Sequence, residues 1–245
     1  MTPSDVDDAK QELREAVWAR LQEAGVARFP GARGRIPNFT GAEAAADRLR
    51  STQVWRDAAT VKSNPDSPQW PVRQRALEDG RVVFMAVPRL REERPFLRLD
   101  PDRLEVAPRT AASIKGSSQH GIPTAVEELT PVDLVIVGSV AVDRSGARLG
   151  KGGGFADLEF ALASDAGLIG PHTTVVTTVH ARQVLDHGCI PMTAHDVPLD
   201  MIITPGEIID CVRTHTRPAG VLWDHLPQGK VDEIPLLRRL AAERG

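Results

Sequence analysis

A glycine-rich stretch in the second half of the chain, ARLGKGGGFADLEFALA (147–163), combines groups that bind anions. Glycines leave backbone N–H groups accessible, and Arg148 and Lys151 add two positive charges. A helical pattern follows at once, and the N-terminus of a helix attracts negative charge. The stretch therefore predicts either a phosphate-binding loop or a flexible turn, built around Gly150, Gly152, Gly153 and Gly154.

The order of residues separates this loop from two common nucleotide-binding motifs. In GxxxxGK[ST] the lysine follows the glycines and precedes a hydroxyl residue. Here Lys151 precedes the glycine triplet, no Ser or Thr follows, and the dinucleotide pattern GxGxxG is not matched either. Asp157 and Glu159 fall in the first turns of the following helix. They either complement its dipole or, Asp157 foremost, hold a divalent cation beside phosphate groups.

Two further cations lie four residues apart on a predicted N-terminal helix, residues 4–24. Lys10 and Arg14 fall outside the apolar stripe of that helix. Like charges at this spacing repel each other unless an anion lies between them. The pair therefore either belongs to a solvated face or binds an anion.

Two histidines occur beside other polar groups. His120 lies in KGSSQHG, which is either a surface loop or a contact to an anionic substrate. His195 precedes Asp196 and a strand, where it either caps that strand or acts as a general base. The other histidines and the two cysteines, Cys189 and Cys211, lack metal-ligand spacing, so no zinc site is predicted.

The elements that must position these residues alternate between strand and helix. This alternation predicts an α/β fold with an open, mostly parallel sheet and helices on both faces, in which ligands bind beyond the carboxyl ends of the strands. The expected domains are one α/β domain over residues 1–228 and an amphipathic helix over 229–245 packed on it. The main expected elements are strands over 81–88, 132–143 and 173–180, helices from Pro71, over 155–167 and over 181–188, and a loop over 108–122.

Composition narrows the classes of function. The chain has 245 residues, 41% of them hydrophobic, and a formal net charge of −3. Nucleic-acid-binding domains usually carry a basic surplus, so no nucleic-acid partner is expected. No apolar run approaches about 20 residues and no signal-peptide pattern opens the sequence, which predicts a cytoplasmic protein with no membrane contact.

The stretch GARLGKGGGFADLEFAL resembles the signature of the 5-formyltetrahydrofolate cyclo-ligase (methenyltetrahydrofolate synthetase) superfamily, and is most similar to its cyclo-ligase-like, synthetase-domain-containing branch. Further similar segments follow in the same order over roughly residues 8–210: IPNFTGA, VKSNPDSPQWPVRQRAL, VPRLR, VDLVIVGSVAV and HDVPLDMIITP. The resemblance implies a fold related to the sugar-phosphate isomerase and CoA-transferase group.

The resemblance also implies a reaction. Enzymes of this family use MgATP to phosphorylate the oxygen of a formyl amide, a neighbouring nitrogen attacks the activated carbon, and phosphate leaves. Such chemistry needs stabilisation of charge on the transferring phosphoryl group more than it needs a protein nucleophile. The implied site residues are Lys10, Arg148 and Lys151 for catalysis; Lys10, Arg14, Gly150, Lys151, Gly152, Gly153, Gly154, Phe155 and Asp157 for ATP; Asp157 for Mg²⁺; and Asn38, Arg89, His120 and His195 for the substrate.

Departures from the family pattern lie in the same loop. Cyclo-ligases carry a loop like GYGGGYYD, whereas this chain has Lys151, Phe155 and Ala156 at the aromatic positions and no tyrosine anywhere. The related branch carries GKGEGFADLE, and here Gly153 stands in place of the acid. The predicted function is an ATP-dependent, cyclo-ligase-like enzyme, monomeric or homodimeric, acting on 5-formyltetrahydrofolate or another formylated small molecule. The alternatives are a non-catalytic nucleotide- or folate-binding protein and, less favoured, an RNA-binding protein.

Overall fold

A mixed eight-stranded sheet forms the centre of the computed structural model, which describes residues 3–212 and 214–244. Met1, Thr2, Arg213 and Gly245 belong to the predicted domain ranges and lie outside the described residues. The strands are β1 (Thr60–Ser63), β2 (Val82–Ala86), β3 (Phe96–Leu99), β4 (Ile122–Thr124), β5 (Leu134–Ile136), β6 (Ala141–Asp143), β7 (Arg148–Leu149), β8 (Thr174–Thr178), β9 (Val184–Leu185), β10 (Met201–Ile203) and β11 (Ile208–Asp210).

The large sheet has the strand order β11-β10-β8-β5-β1-β2-β3-β4. Its five central strands, from β10 to β2, run parallel to one another, while β11, β3 and β4 join by antiparallel pairing. The expected mostly parallel α/β sheet is therefore confirmed. The carboxyl ends of β1, β2 and β5 lie side by side, which is where a ligand site forms in such sheets.

Helices cover both faces of this sheet, because successive strand side chains point to opposite sides. Val83 packs with the helices α2 (Ala42–Arg50) and α4 (Trp70–Glu78) in one core. Phe84, on the opposite face, packs with α7 (Phe155–Asp165) in another core. Both cores consist of fully buried aliphatic and aromatic side chains. The helices are α1 (Pro3–Glu23), α2 (Ala42–Arg50), α3 (Gln53–Asp57), α4 (Trp70–Glu78), α5 (Pro108–Ala111), α6 (Ile114–His120), α7 (Phe155–Asp165), α8 (Gln228–Glu233) and α9 (Pro235–Arg244).

The strand predicted over 132–143 is in fact two strands in two sheets. β5 belongs to the large sheet, and β6 pairs with β7 and β9 in a separate three-stranded sheet. Between them, the Gly138 N–H donates to Asn64 Oδ1 at 3.0 Å instead of to a neighbouring strand. The apolar run is continuous because both sheets are buried, so its composition does not reveal the break.

Two shorter elements also differ from expectation. The predicted helix over 181–188 is a 3₁₀ turn at Ala181–Gln183 followed by β9, since the Gln183 amide donates to the carbonyls of Ser139 and Val140 and ties the segment to β6. The segment 108–122, expected to be a loop, contains α5 and α6. The Ser113 side chain caps α6 by accepting the Gly116 N–H at 2.9 Å. Serine and glycine are also common in loops, so this cap is not recognisable from the composition of the segment.

The C-terminal helices α8 and α9 pack against the large sheet. Val231, Ile234, Leu236 and Leu237 are buried in the same core as Phe84 and α7. The division of the chain at residue 228 stays a prediction. Among the described residues, no helix combines the length and apolar character needed to cross a bilayer.

Replacing Leu237 by alanine is expected to lower the free energy of unfolding by about 2–5 kcal/mol, because it opens a cavity in this core. The measurement is urea unfolding followed by circular dichroism. The control is Arg238→Ala on the exposed side of α9, with an expected change within about 0.5 kcal/mol. If α9 melted separately and left the main transition of Leu237→Ala unchanged, the predicted packing of this helix on the domain would be wrong.

Candidate functional site

A cleft of about 610 Å³ lies at the carboxyl ends of the central strands. Asn64 and Asp66 follow β1, Arg89 follows β2, and Gly138 follows β5. The loop at residues 150–154, here called the glycine loop, forms a further wall. The fold thus brings the glycine-rich stretch of the sequence to the edge where α/β sheets bind ligands.

The glycine loop offers a row of free backbone donors. Gly152 and Gly154 have φ angles of 105° and 66°, and Gly154 is the N-cap of α7. None of the N–H groups of residues 151–157 donates a hydrogen bond to another described residue. Unpaired N–H groups at the start of a helix, together with its dipole, form an anion-binding cradle.

Arg148 and Asp157 form a buried ion pair beside this cradle. The guanidinium contacts the carboxylate, which also accepts the Val197 N–H at 3.0 Å. Burial by itself would lower the pKa of Arg148, but the adjacent Asp157 carboxylate outweighs it and the pKa is raised. Arg148 Nε is buried and has no hydrogen-bond partner among the described residues. Arg148 therefore supplies a fixed positive charge with unused donor capacity.

The N-terminal helix lies across the other side of the glycine loop. Arg14 Nε donates to the Gly150 carbonyl at 2.8 Å, and its guanidinium carbon is 3.6 Å from where a Cβ of Gly152 would lie. Burial lowers the pKa of Arg14, opposed by the carboxylates of Asp7 and Asp196. The two cations predicted on α1 thus face the loop region rather than open solvent alone.

Lys10 is buried and paired with Asp196 at 2.6 Å. Burial would raise the pKa of Asp196, but the Lys10 ammonium and the hydrogen bonds from Thr193 lower it overall. Asp157 accepts the N–H of Val197, the residue after Asp196, so the segments that carry the two acidic residues are in contact. Each carboxylate is compensated by one of the predicted phosphate-binding cations.

A third buried ion pair lies at the wall of the cleft that Glu159 and Asn64 line. Lys62 on β1 contacts Glu159 on α7, and Asn64 Nδ2 donates to the same carboxylate at 2.7 Å. Burial raises the pKa of Glu159, opposed by the Lys62 ammonium. The sequence interpretation did not include Lys62 or Asn64. The available signal was a lysine within the short predicted strand ATVKS.

Lys151 and Arg89 are the accessible cations of the cleft. Lys151 Nζ lies 3.5 Å from Asp66 Oδ1, and its side chain is half exposed. Arg89 has a φ angle of 59° and Leu90 one of 52°, a left-handed backbone that costs non-glycine residues about 1–3 kcal/mol each. Burial of the Leu90 side chain helps to retain this turn, which places Arg89 in the cleft wall.

Three of the predicted substrate residues lie elsewhere. Asn38 lines a separate cavity of about 600 Å³ and donates to the Phe29 carbonyl at 3.0 Å. His195 lines a third cavity of about 300 Å³ behind the glycine loop, with its ring 6.2 Å from that of His225. His120 precedes β4, whose register places it near the amino end of β2, opposite the cleft.

Divalent-cation binding has only a partial protein ligand set. No group of three or more His, Cys, Asp or Glu side chains suited to a metal ion occurs in the part of the chain that the structure describes. Asp157 and Asp196 each carry one carboxylate, on segments that contact each other through the Val197 N–H. Mg²⁺ commonly binds through one or two carboxylates, with water and substrate phosphate oxygens completing its shell.

Comparisons with known proteins agree with the resemblance seen in the sequence. The model of the 5-formyltetrahydrofolate cyclo-ligase family matches residues 6–205. The chain is 36% identical over 235 residues to a methenyltetrahydrofolate synthase domain-containing protein of Bos taurus, covering 95% of this chain and 62% of that protein. It is 34% identical over 245 residues to the Homo sapiens protein of the same name, covering 99% of this chain and 64% of that protein. The chain thus spans less than two thirds of the length of these relatives.

A solved structure shares the fold. The NMR structure of Aquifex aeolicus 5,10-methenyltetrahydrofolate synthetase superposes with a TM-score of 0.54 at 21% identity, covering 84% of this chain and 94% of that one. With the sequence motifs and the family match over most of its length, the chain belongs to the 5-formyltetrahydrofolate cyclo-ligase family.

Proposed function

We propose that this chain is an ATP-dependent ligase that phosphorylates the oxygen of a formyl amide and drives C–N bond formation with loss of phosphate. The observation that carries the proposal is the row of free N–H groups at residues 151–157, bordered by Arg14, Arg148 and Lys151. 5-Formyltetrahydrofolate is the first substrate to test, because the chain belongs to the family named for that reaction.

The residues of the cleft fit MgATP. The cradle supplies donors for phosphate oxygens, Arg148 Nε lacks a partner within the described residues, and Asp157 lines the cleft. When bound, Mg²⁺ supplies charge neutralisation on the phosphates. Asp157 and Asp196 would hold the Mg²⁺ ion. The ion would then neutralise their negative charges, which Arg148 and Lys10 neutralise in its absence. Those two cations are then left for the phosphate groups.

The proposed mechanism assigns a role to each cation. Arg14 and the loop N–H groups bind and orient the phosphates, while Arg148 and Lys151 stabilise negative charge on the transferring phosphoryl group. The formyl oxygen takes the phosphoryl group and ADP leaves. The neighbouring nitrogen of the substrate then attacks the carbon and gives up its proton to solvent, and the C–O bond breaks to release phosphate and a cyclic amidinium. None of these steps requires a protein nucleophile.

The acceptor side of the cleft is of the size that holds a small molecule, since ligand cavities commonly measure about 300–1,000 Å³. Ile36, Val87 and Phe155 provide apolar contact surface, and Asn64 and Arg89 provide polar groups. The Lys151 and Ala156 side chains stand where cyclo-ligases carry aromatic ones, so the acceptor contacts differ from theirs.

Removing either accessible cation of the cradle should weaken ATP binding. Arg14→Ala and Lys151→Ala are each expected to raise the Kd for MgATP about tenfold or more, because a hydrogen bond to a charged group contributes about 1.5–3 kcal/mol. The measurement is isothermal titration calorimetry. The matched control is Arg20→Ala, an arginine elsewhere on α1 whose guanidinium contacts, among the described residues, the Arg182 carbonyl alone at 3.4 Å. Wild-type affinity in both cradle variants would show that the site is misassigned.

Turnover distinguishes an enzyme from a binding protein. With 5-formyltetrahydrofolate and MgATP, we expect a methenyl product and phosphate release in equal amounts, and loss of both when EDTA removes Mg²⁺. Absorbance of the methenyl product and a phosphate assay measure the two, and other formylated metabolites test for a different acceptor. ATP binding with no turnover on any acceptor would instead favour a non-catalytic nucleotide-binding protein.

A further inference from the structure

Part of the chain beyond the family match lies against the glycine loop. The match ends at residue 205, and the segment that follows contains α8 and α9. Residues 218–227 and α8 form one side of the 300 Å³ cavity behind the loop. This segment is therefore in position to contribute to the site.

Lys230 on α8 reaches into the glycine loop. Its ammonium donates to the Gly153 carbonyl at 2.6 Å and lies 5.0 Å from the centre of the Phe155 ring. A Cβ on Gly154 would lie only 3.1 Å from Nζ, so a side chain there would crowd the ammonium. Lys230 lines both the 610 Å³ cleft and the smaller cavity, and thus lies at the junction of the two.

The ammonium of Lys230 has unused donors. A lysine has three N–H donors, and within the part of the chain that the structure describes Lys230 uses one of them, on the Gly153 carbonyl. No carboxylate of the described residues lies within ion-pair distance of it. Burial lowers its pKa, opposed by the more distant charges of Asp157 and Glu233. A half-buried cation without a close counter-ion gains more from an incoming anion than an exposed cation does.

The nearest ligand-accessible groups indicate the kind of anion. Lys230 adjoins the free N–H groups of residues 151–157, and converging amide and ammonium donors suit phosphate oxygens. We infer that Lys230 is a further phosphate-binding residue of the ATP site, supplied by a segment outside the family match. The inference rests on the proposed function, and it extends the site from the sheet edge to α8.

The test removes the charge of Lys230 while keeping a donor for Gly153. Lys230→Gln is expected to raise the Kd for MgATP and for inorganic tripolyphosphate about tenfold, since a charged hydrogen bond is replaced by a neutral one. Lys230→Arg keeps the charge and is expected to recover most of the affinity. Lys115→Gln, an exposed lysine on α6 outside every cavity described above, is the matched control with wild-type affinity expected. Calorimetry gives the affinities, and thermal unfolding checks that the variants are folded.

Each other outcome has a defined meaning. Wild-type affinity in Lys230→Gln would overturn the inference, because a neutral contact to Gly153 would then suffice. The inference would also be overturned if Lys230→Gln lost affinity for 5-formyltetrahydrofolate alone. The same holds if its melting temperature fell while its affinity for ATP and tripolyphosphate stayed unchanged. Failure of the wild-type protein to bind either ATP or tripolyphosphate would instead contradict the proposed function itself.

Discussion

The buried ion pair between Lys62 and Glu159 holds the cleft together. It joins two separate elements, since Lys62 lies on β1 in the middle of the sheet and Glu159 lies in the first half of α7. Asn64 binds the same carboxylate and also accepts the Gly138 N–H, which connects the end of β5. Removing one partner of such a pair costs about 3–5 kcal/mol, because the other charge stays buried and uncompensated. The start of α7, and with it the glycine loop, is therefore fixed relative to the ends of β1 and β5.

The cations around the glycine loop come from four separate parts of the chain. Arg14 lies on α1, Arg148 on β7, Lys151 in the loop and Lys230 on α8. Positive charges brought together in this way would repel each other, but two pairings reduce the repulsion: Arg148 with Asp157 and Lys151 with Asp66. Lys10 with Asp196 adds a third pair in the same region. The arrangement keeps the local charge nearly balanced while leaving hydrogen-bond donors available.

Local patterns were sufficient to predict much of the fold. The apolar spacing of α1, the continuous strands β2 and β8, and the helix that starts at Phe155 all appear within a few residues of the expected bounds. Arg148, Lys151 and Phe155 are close to the cleft because they belong to one loop, whose chemistry can be recognised without knowledge of distant contacts. The positions of α5 and α6 were missed because their caps and small residues also occur in loops.

Residues that depend on distant contacts were not predictable in the same way. A buried lysine in a strand, such as Lys62, has a partner 97 positions away that no local pattern identifies. Lys230 lies beyond the segments that resemble the family. His120 was a candidate from its neighbours alone, and the register of β3 and β4 places it at the far end of the sheet.

The backbone of the glycine loop restricts how such a site can diversify. At Gly152 and Gly154, with φ angles of 105° and 66°, any side chain would strain the chain, so these two positions act as fixed points of the loop. The backbone at Lys151, Gly153 and Ala156 does not have a positive φ angle. In the proposed function, exchange of the side chain at position 156 would therefore change the acceptor contacts without rebuilding the phosphate cradle. Position 153 is less open to change, because a Cβ there would lie 2.8 Å from the Phe155 ring, and Lys151 is itself assigned to the phosphoryl group. Acceptor choice and phosphate binding can thus diverge separately at position 156.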